Sequence, residues 1–235
     1  MDSYGQKNMS DVREYFKKWP GFYFFIATVF GPMLFSGVSA KKFLARFPRA
    51  GKTVNLGSGP RVYAEDGMAN IDIHPYPGVD LVADATAVPL PDGSVARIVS
   101  DNVLEHVAQP QTVVAEMYRL LESGGLAYVA TPFMYPFHSS PSDYQRWTKK
   151  GLEELYKDFD MVEIGVRAGP FSALDAYLCH VTGMVLSCGY APLKSLITNL
   201  AMFVFLPIKL LDVVFNHWPG AEEVAAVLYL IVRKP

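Results

Sequence analysis

Two periods of apolar residues alternate along the chain. Short apolar-centred runs occur at Thr53–Leu56, Asn70–Ile73, Asp80–Asp84, Val95–Ser100, Leu126–Thr131, Met161–Val166 and Val224–Val232. Runs of this length, bounded by turn residues, predict strands. Between them, Pro110–Leu121 sets Val113, Val114, Met117, Leu120 and Leu121 at i, i+1, i+4, i+7 and i+8. That spacing predicts a helix with one buried face, with Pro110 in its first turn and Gly124–Gly125 ending the element. Thr148 is placed to cap a helix carrying Leu152, Leu155 and Tyr156. A further helix is predicted from Ser39 to Phe47. Strand–helix alternation of this kind implies an α/β domain built on a mainly parallel sheet.

The periodicity breaks at two places. One is the apolar run Gly21–Phe35, preceded by Asp11 and Glu14, which predict a capping box for a helix through Trp19. The other is Ala168–Ala221, which stands where a short connection is expected. Between Asp175 and Glu222 its only formal charges are Lys194, Lys209 and Asp212. A connection of that length calls for structure of its own, and it is read as a helical insertion paired with the apolar N-terminal run. The organisation expected is an apolar, basic N-terminal segment (1–50), a core (51–167), a hydrophobic helical insertion (168–221) and a final core strand (222–235).

Composition sharpens this picture. Mean hydropathy is +0.16, and the excess sits in the two apolar regions. From Arg13 to Arg49 seven basic residues face one acid, Glu14. Basic and aromatic residues flanking an apolar centre suit a membrane surface; a buried cap or homodimer interface is the other account. Trp19 and Trp218 are read either as an interfacial belt or as packing residues. A net charge of −2 argues against a nucleic-acid face. Cys179 and Cys188 have no metal-ligand spacing and are read as buried free thiols in a reducing compartment. No His/Cys cluster suggests a zinc site, and no metal is expected. His180 and His217 are read as structural. No secretory signal is recognised, so the expected location is cytoplasmic, peripheral on the inner face of the membrane.

The candidate chemistry begins where the first strand meets Gly57–Ser58–Gly59. Glycines there let a ligand approach the backbone. Acids or amides close the next strands at Asp72, Asp84 and Asp101–Asn102, and polar groups at successive strand ends build ligand sites in open α/β sheets. The ordered set Asn55–Gly59, Asp72, Asp84–Pro89, Asn102–His106 and Gly124–Gly125 resembles the class I S-adenosylmethionine-dependent methyltransferases. The resemblance covers about Lys52 to Lys157 and is to the branch with a Leu-Glu-His signature (type 11-like), within a subgroup associated with glycan biosynthesis. It implies a Rossmann-like sheet whose last strand is antiparallel, with S-adenosylmethionine as cofactor. It places Gly57, Ser58 and Gly59 against the methionine part, Asp72 with Ile73 at the ribose, Asp84 with Ala85 near the adenine, and Asn55 and Asn102 in the same pocket. Two departures stand out. Asn55 replaces a frequent acid, and only ten residues (60–69) separate Gly59 from Asn70, so the first helix is short or missing.

Methyl transfer to oxygen needs an aligned acceptor and benefits from a base. His106 follows the fourth strand. The loop 132–148 carries His138, Asp143, Tyr144 and Arg146 among prolines and aromatics, and resembles a His-x-x-Pro-x-Asp-Tyr-x-Arg pattern of the same subgroup. His138 is taken as the base or acceptor-orienting group, with Asp143 in support and Tyr144 and Arg146 on substrate; His106 is the second catalytic candidate. A purely structural Asp143–Arg146 tie is the alternative. Asp101 and Glu105 are read as capping or pairing groups. The acceptor expected is a sugar oxygen on a lipid-linked or cell-surface glycan. The alternatives are a hydrophobic small molecule such as a quinone or isoprenoid lipid, and a non-catalytic binding module.

Overall fold

A computed structural model describes residues 31–60, 67–138 and 142–235. The expectations at Asp11–Trp19 and Gly21–Phe30 lie outside these residues.

Seven strands form one sheet: β1 (Thr53–Leu56), β2 (Met68–Asp72), β3 (Leu81–Val82), β4 (Val95–Asp101), β5 (Leu121–Pro132), β6 (Asp160–Ala168) and β7 (Val227–Arg233). Their order is β3-β2-β1-β4-β5-β7-β6. The first five are parallel, and β7 runs antiparallel between β5 and β6. The chain order reverses beside β1, where β4 pairs on its other side, and ligands bind outside the carboxyl ends of strands at such a switch.

Alternation through the sheet builds a core on each face. From β5, Ala127 and Val129 join a cluster with α2 (Pro110–Leu120), through Val113, Met117 and Leu120, and with Leu152 of α3 (Lys149–Leu155). Tyr128 and Ala130 point the other way, onto Phe43 and Leu44 of α1 (Ala40–Arg46). Ser39 caps α1 by accepting the Lys42 N–H (3.2 Å), and Thr148 caps α3 by accepting the Gly151 N–H (3.1 Å).

Two expectations change. The Gly124–Gly125 pair does not stop α2. The helix passes directly into β5 at Leu121, pairing with β4 lapses after Leu121, and it resumes at Leu126. Gly124, at φ +73°, sits in that irregularity. The thiols also differ from each other: Cys179 is buried, but Cys188 is exposed in the turn that follows the helix carrying Cys179.

Between β6 and β7 the chain forms α4 (Pro170–Leu186), α5 (Ala191–Lys209) and α6 (Asp212–Phe215). Helices α4 and α5 pack as a hairpin with Gly183 against Thr198; a Cβ on Gly183 would lie 2.0 Å from Thr198 Oγ1. The start of α4 is capped from a distance. Asp212 accepts the N–H groups of Phe171 (2.9 Å) and Ser172 (2.8 Å), so α6 satisfies donors that α4 itself leaves orphaned. Lys209 is buried and donates to the Gly31 carbonyl, which ties the incoming N-terminal chain to the base of the hairpin. Burial lowers the Lys209 pKa and raises that of Asp175 beside it.

Candidate functional site

The glycine turn leaves β1 in a conformation few other residues adopt. Gly57 and Gly59 have φ of +71° and +55°. The N–H groups of Gly57 (2.8 Å) and Ser58 (3.0 Å) donate to the Ile71 carbonyl, and Gly59 N–H donates to Asp72 Oδ2 (2.7 Å). The other Asp72 oxygen accepts the His74 N–H (2.9 Å). This carboxylate therefore holds the turn and the exit of β2 in one arrangement. Among the described residues a Cβ on Gly59 would meet nothing within 4 Å, so these residues leave open space beside the turn. Ile73, 58% exposed, and the exposed Val82 and Asp84 continue that open shelf along the strand ends. These residues suit a cofactor with a polar ribose and a flat base.

Asn55 lies elsewhere. It is buried and donates to Asn70 Oδ1 (2.9 Å), its register partner on β2. Asp84 folds its carboxylate back onto Thr86, accepting from its N–H and its hydroxyl, both at 2.8 Å, and Ala85 packs against the core. Asn102 takes a left-handed conformation (φ +59°), which asparagine tolerates, and its N–H donates to the Ala130 carbonyl. That turn swings the chain into a 3-10 turn at Leu104–His106. Val103, just before it, packs against Gly57, where a Cβ would lie 2.5 Å from Val103 Cγ2. The glycine turn and the Leu-Glu-His segment are thus neighbours.

The loop after β5 completes the site. Arg146 is its hub. It donates to both Asp143 oxygens and to the carbonyls of Tyr135 (3.2 Å), Pro136 (3.2 Å) and Gln145 (2.8 Å). Asp143 also accepts the His138 N–H (2.8 Å). Burial opposes ionisation of Asp143, but the Arg146 guanidinium and the His138 N–H outweigh it and hold its pKa down to about 2. The same pairing raises the Arg146 pKa. Arg146 and Asp143 therefore brace the loop, while Tyr144 is exposed and gives its N–H to the Glu105 carbonyl (2.7 Å).

This bracing brings His138 to His106, with ring centroids 5.2 Å apart. Between them lies Glu105, which caps no backbone N–H and instead lies against both histidines. It is fully buried, and both carboxylate oxygens lack a hydrogen-bond partner. Oε1 is 3.7 Å from Nε2 of each histidine. The sequence offers no metal-ligand spacing because Glu105 and His138 sit on loops after different strands; only the β4–β5 pairing unites them. His180 Nδ1 donates to the Ala176 carbonyl (2.8 Å), as a structural histidine does, whereas His217 is exposed.

Comparison with known proteins agrees with this geometry. The family described as "Methyltransferase domain" matches residues 61–129. A methyltransferase of Mycolicibacterium gilvum is 34% identical over 103 residues, 36% of this chain and 40% of the relative. One from Mycolicibacterium vanbaalenii is 35% identical over 109 residues, 38% and 43% of the two chains. The chain thus spans about two-fifths of the length of these relatives. Among solved structures, Burkholderia thailandensis 1,6-didemethyltoxoflavin-N1-methyltransferase, with its substrate and S-adenosylhomocysteine bound, aligns with a TM-score of 0.53. It is 12% identical, and the alignment covers 100% of this chain and 93% of that one. A possible histamine N-methyltransferase of Thermotoga maritima aligns equally well (TM-score 0.53, 13% identity, 97% and 100% covered). Seven strands in this order, with a glycine turn at the switch point, form the Rossmann-like sheet shared with these methyltransferase structures, and residues 61–129 match the methyltransferase-domain family.

Proposed function

We propose that this chain transfers a methyl group from S-adenosylmethionine to a sugar oxygen of a lipid-linked or cell-surface glycan. The observation that carries the reading is the adjacency of the open glycine turn and the Glu105–His106–His138 cluster, joined through the Gly57–Val103 contact. Gly57–Gly59, Asp72, Ile73 and Asp84 would hold the cofactor, which supplies an electrophilic methyl group on a sulfonium. Asp72 is preset by two backbone N–H groups. The cluster faces the acceptor side, where His138 is the base or the acceptor-orienting group. Arg146 and Asp143 fix its ring without touching the reacting atoms, so they are positioning residues.

The lipid-linked part rests on the α4–α5 hairpin. Leu174, Tyr177, Val181, Met184 and Val185 form an exposed stripe on α4, and Leu196, Leu200, Phe203 and Val204 form another on α5. Among the described residues α5 is the one helix long and apolar enough to cross a membrane, and 11% of its apolar stretch is buried. Lys209 and Asp212 are buried, which leaves Lys194 as the exposed charge from 176 to 221. An apolar surface of this extent is unusual on a soluble monomer, and a bilayer leaflet is the occupant we assign to it. The same hairpin equally suits a quinone or isoprenoid acceptor, so both acceptor classes belong in one screen.

Calorimetric titration with S-adenosylhomocysteine is the first test. One saturable site, weakened at least tenfold in Asp72→Ala, supports the cofactor reading; folded protein that binds none overturns it. Flotation with anionic liposomes tests the hairpin, and protein left entirely in the soluble fraction at low salt refutes membrane contact.

A further inference from the structure

We infer that Glu105, His106 and His138 form a binding site for a divalent first-row cation of the zinc type. Their ligand atoms all lie within 4.8 Å of one another. Two metal–ligand bonds of about 2.1 Å meeting at the tetrahedral angle separate their donor atoms by about 3.4 Å. Glu105 Oε1 lies 3.7 Å from each histidine Nε2, a few tenths of an ångström wider. Glu105 supplies the independent observation: a carboxylate with no exposure and no hydrogen bond on either oxygen is costly to bury without a cation.

The far sides of the imidazoles are arranged as metal-bound histidines require. His106 Nδ1 contacts the Ser142 carbonyl, which can only accept, so Nδ1 carries the proton and Nε2 turns a lone pair toward Glu105. His138 Nδ1 lies 3.5 Å from Asp143 Oδ2 and 3.4 Å from Arg146 Nη2. A carbonyl or carboxylate behind each ring is the usual support for a ligating histidine. The His106 lone pair and the Glu105 carboxylate converge on one point and repel each other unless a cation or a proton lies between them, and a bound cation would turn the His138 Nδ1–H toward Asp143. Two histidines and a carboxylate suit zinc, and three protein ligands leave a position for water or for an acceptor oxygen. A cation there lowers the pKa of an oxygen bound to it. It, rather than the His138 imidazole, then prepares the acceptor. That role rests on the proposed methyl transfer, but binding of the cation does not.

The test is titration of the EDTA-treated full chain with Zn2+, with the visible spectrum of the Co2+ form as a second readout. A Cys188→Ser background removes the exposed thiol as a competing ligand. One saturable site with a tetrahedral Co2+ spectrum is expected, weakened at least a hundredfold in Glu105→Gln and in His138→Gln. His138 is partly exposed, so its variant keeps the test open should Glu105→Gln not fold. Folded protein that binds neither ion, or binds both unchanged in the variants, overturns the site. S-adenosylhomocysteine titration of the same preparations separates the two readings: metal bound without S-adenosylhomocysteine leaves the cation site and removes the methyltransferase assignment, and the reverse does the opposite.

Discussion

Replacing Gly57 by alanine tests whether the glycine turn and the Leu-Glu-His segment are mechanically joined. The cost has two parts. A non-glycine residue at φ +71° pays roughly 1–2 kcal/mol in backbone strain. The new Cβ would also sit 2.5 and 2.7 Å from the two methyls of Val103, a stiff β-branched side chain that cannot swing clear. Overpacking of this kind costs a further ~1–3 kcal/mol. Gly57→Ala is therefore expected to destabilise by about 2–5 kcal/mol in urea denaturation, with weaker S-adenosylhomocysteine binding. Adding Val103→Ala removes the two methyl clashes and leaves a tight 3.2 Å contact to its Cβ together with the strain, so the double variant should be more stable than Gly57→Ala despite losing apolar bulk. Gly59→Ala is the control. Its φ is +55° and its Cβ meets nothing, so it should cost only about 1–2 kcal/mol, yet it places a methyl in the open space beside the turn and should reduce ligand affinity more than tenfold. The reasoning fails if Gly57→Ala lies within about 0.5 kcal/mol of the parent, or if Val103→Ala restores nothing.

Three further outcomes are expected. Asp143 has its pKa held down to about 2, so it stabilises the native state above the unfolded carboxylate range and that stability is lost as pH falls from about 4 to 2; Asp143→Asn should remove about 2 kcal/mol at neutral pH and flatten this acid limb in denaturation curves. Glu116→Gln should cost about 1–3 kcal/mol by thermal or urea melting, because its carboxylate accepts the Val88 N–H (2.6 Å) and pairs with Arg119, tying the loop after β3 to α2. The two cysteines should differ in thiol titration: Cys188 is exposed and reacts at once, whereas burial, with Asp175 beside it, pushes Cys179 up to about 12 and delays it until unfolding. Anionic liposomes should slow the Cys188 reaction if the hairpin enters the leaflet.

What could be read from the chain without its structure followed from how local each signal is. Strand and helix periods come from neighbours in sequence, so the α/β class, Thr148 as a cap, and Val113, Met117 and Leu120 as a buried face were all legible. The glycine turn was legible because positive φ favours glycine wherever it occurs. The misreadings involve partners that the fold alone brings close. Gly124–Gly125 looked like a helix stop, but β4 offers an edge that the chain joins at Leu121, before the glycines. Asn55 was placed in the cofactor pocket by resemblance alone, and its bond to Asn70 on the adjacent strand is one that only the sheet register brings about. Asp212, a charge in an apolar stretch, caps a helix that begins 42 residues earlier. Glu105 is the most consequential case. In sequence it is one acid beside a histidine. In space the bracing of loop 132–148 by Arg146 sets His138 opposite it, and an acid read as capping or pairing becomes the centre of the cluster, in contact with two histidines and without a hydrogen bond. The residue whose role was least visible in the chain is thus the one on which both the proposed acceptor chemistry and the proposed cation site depend.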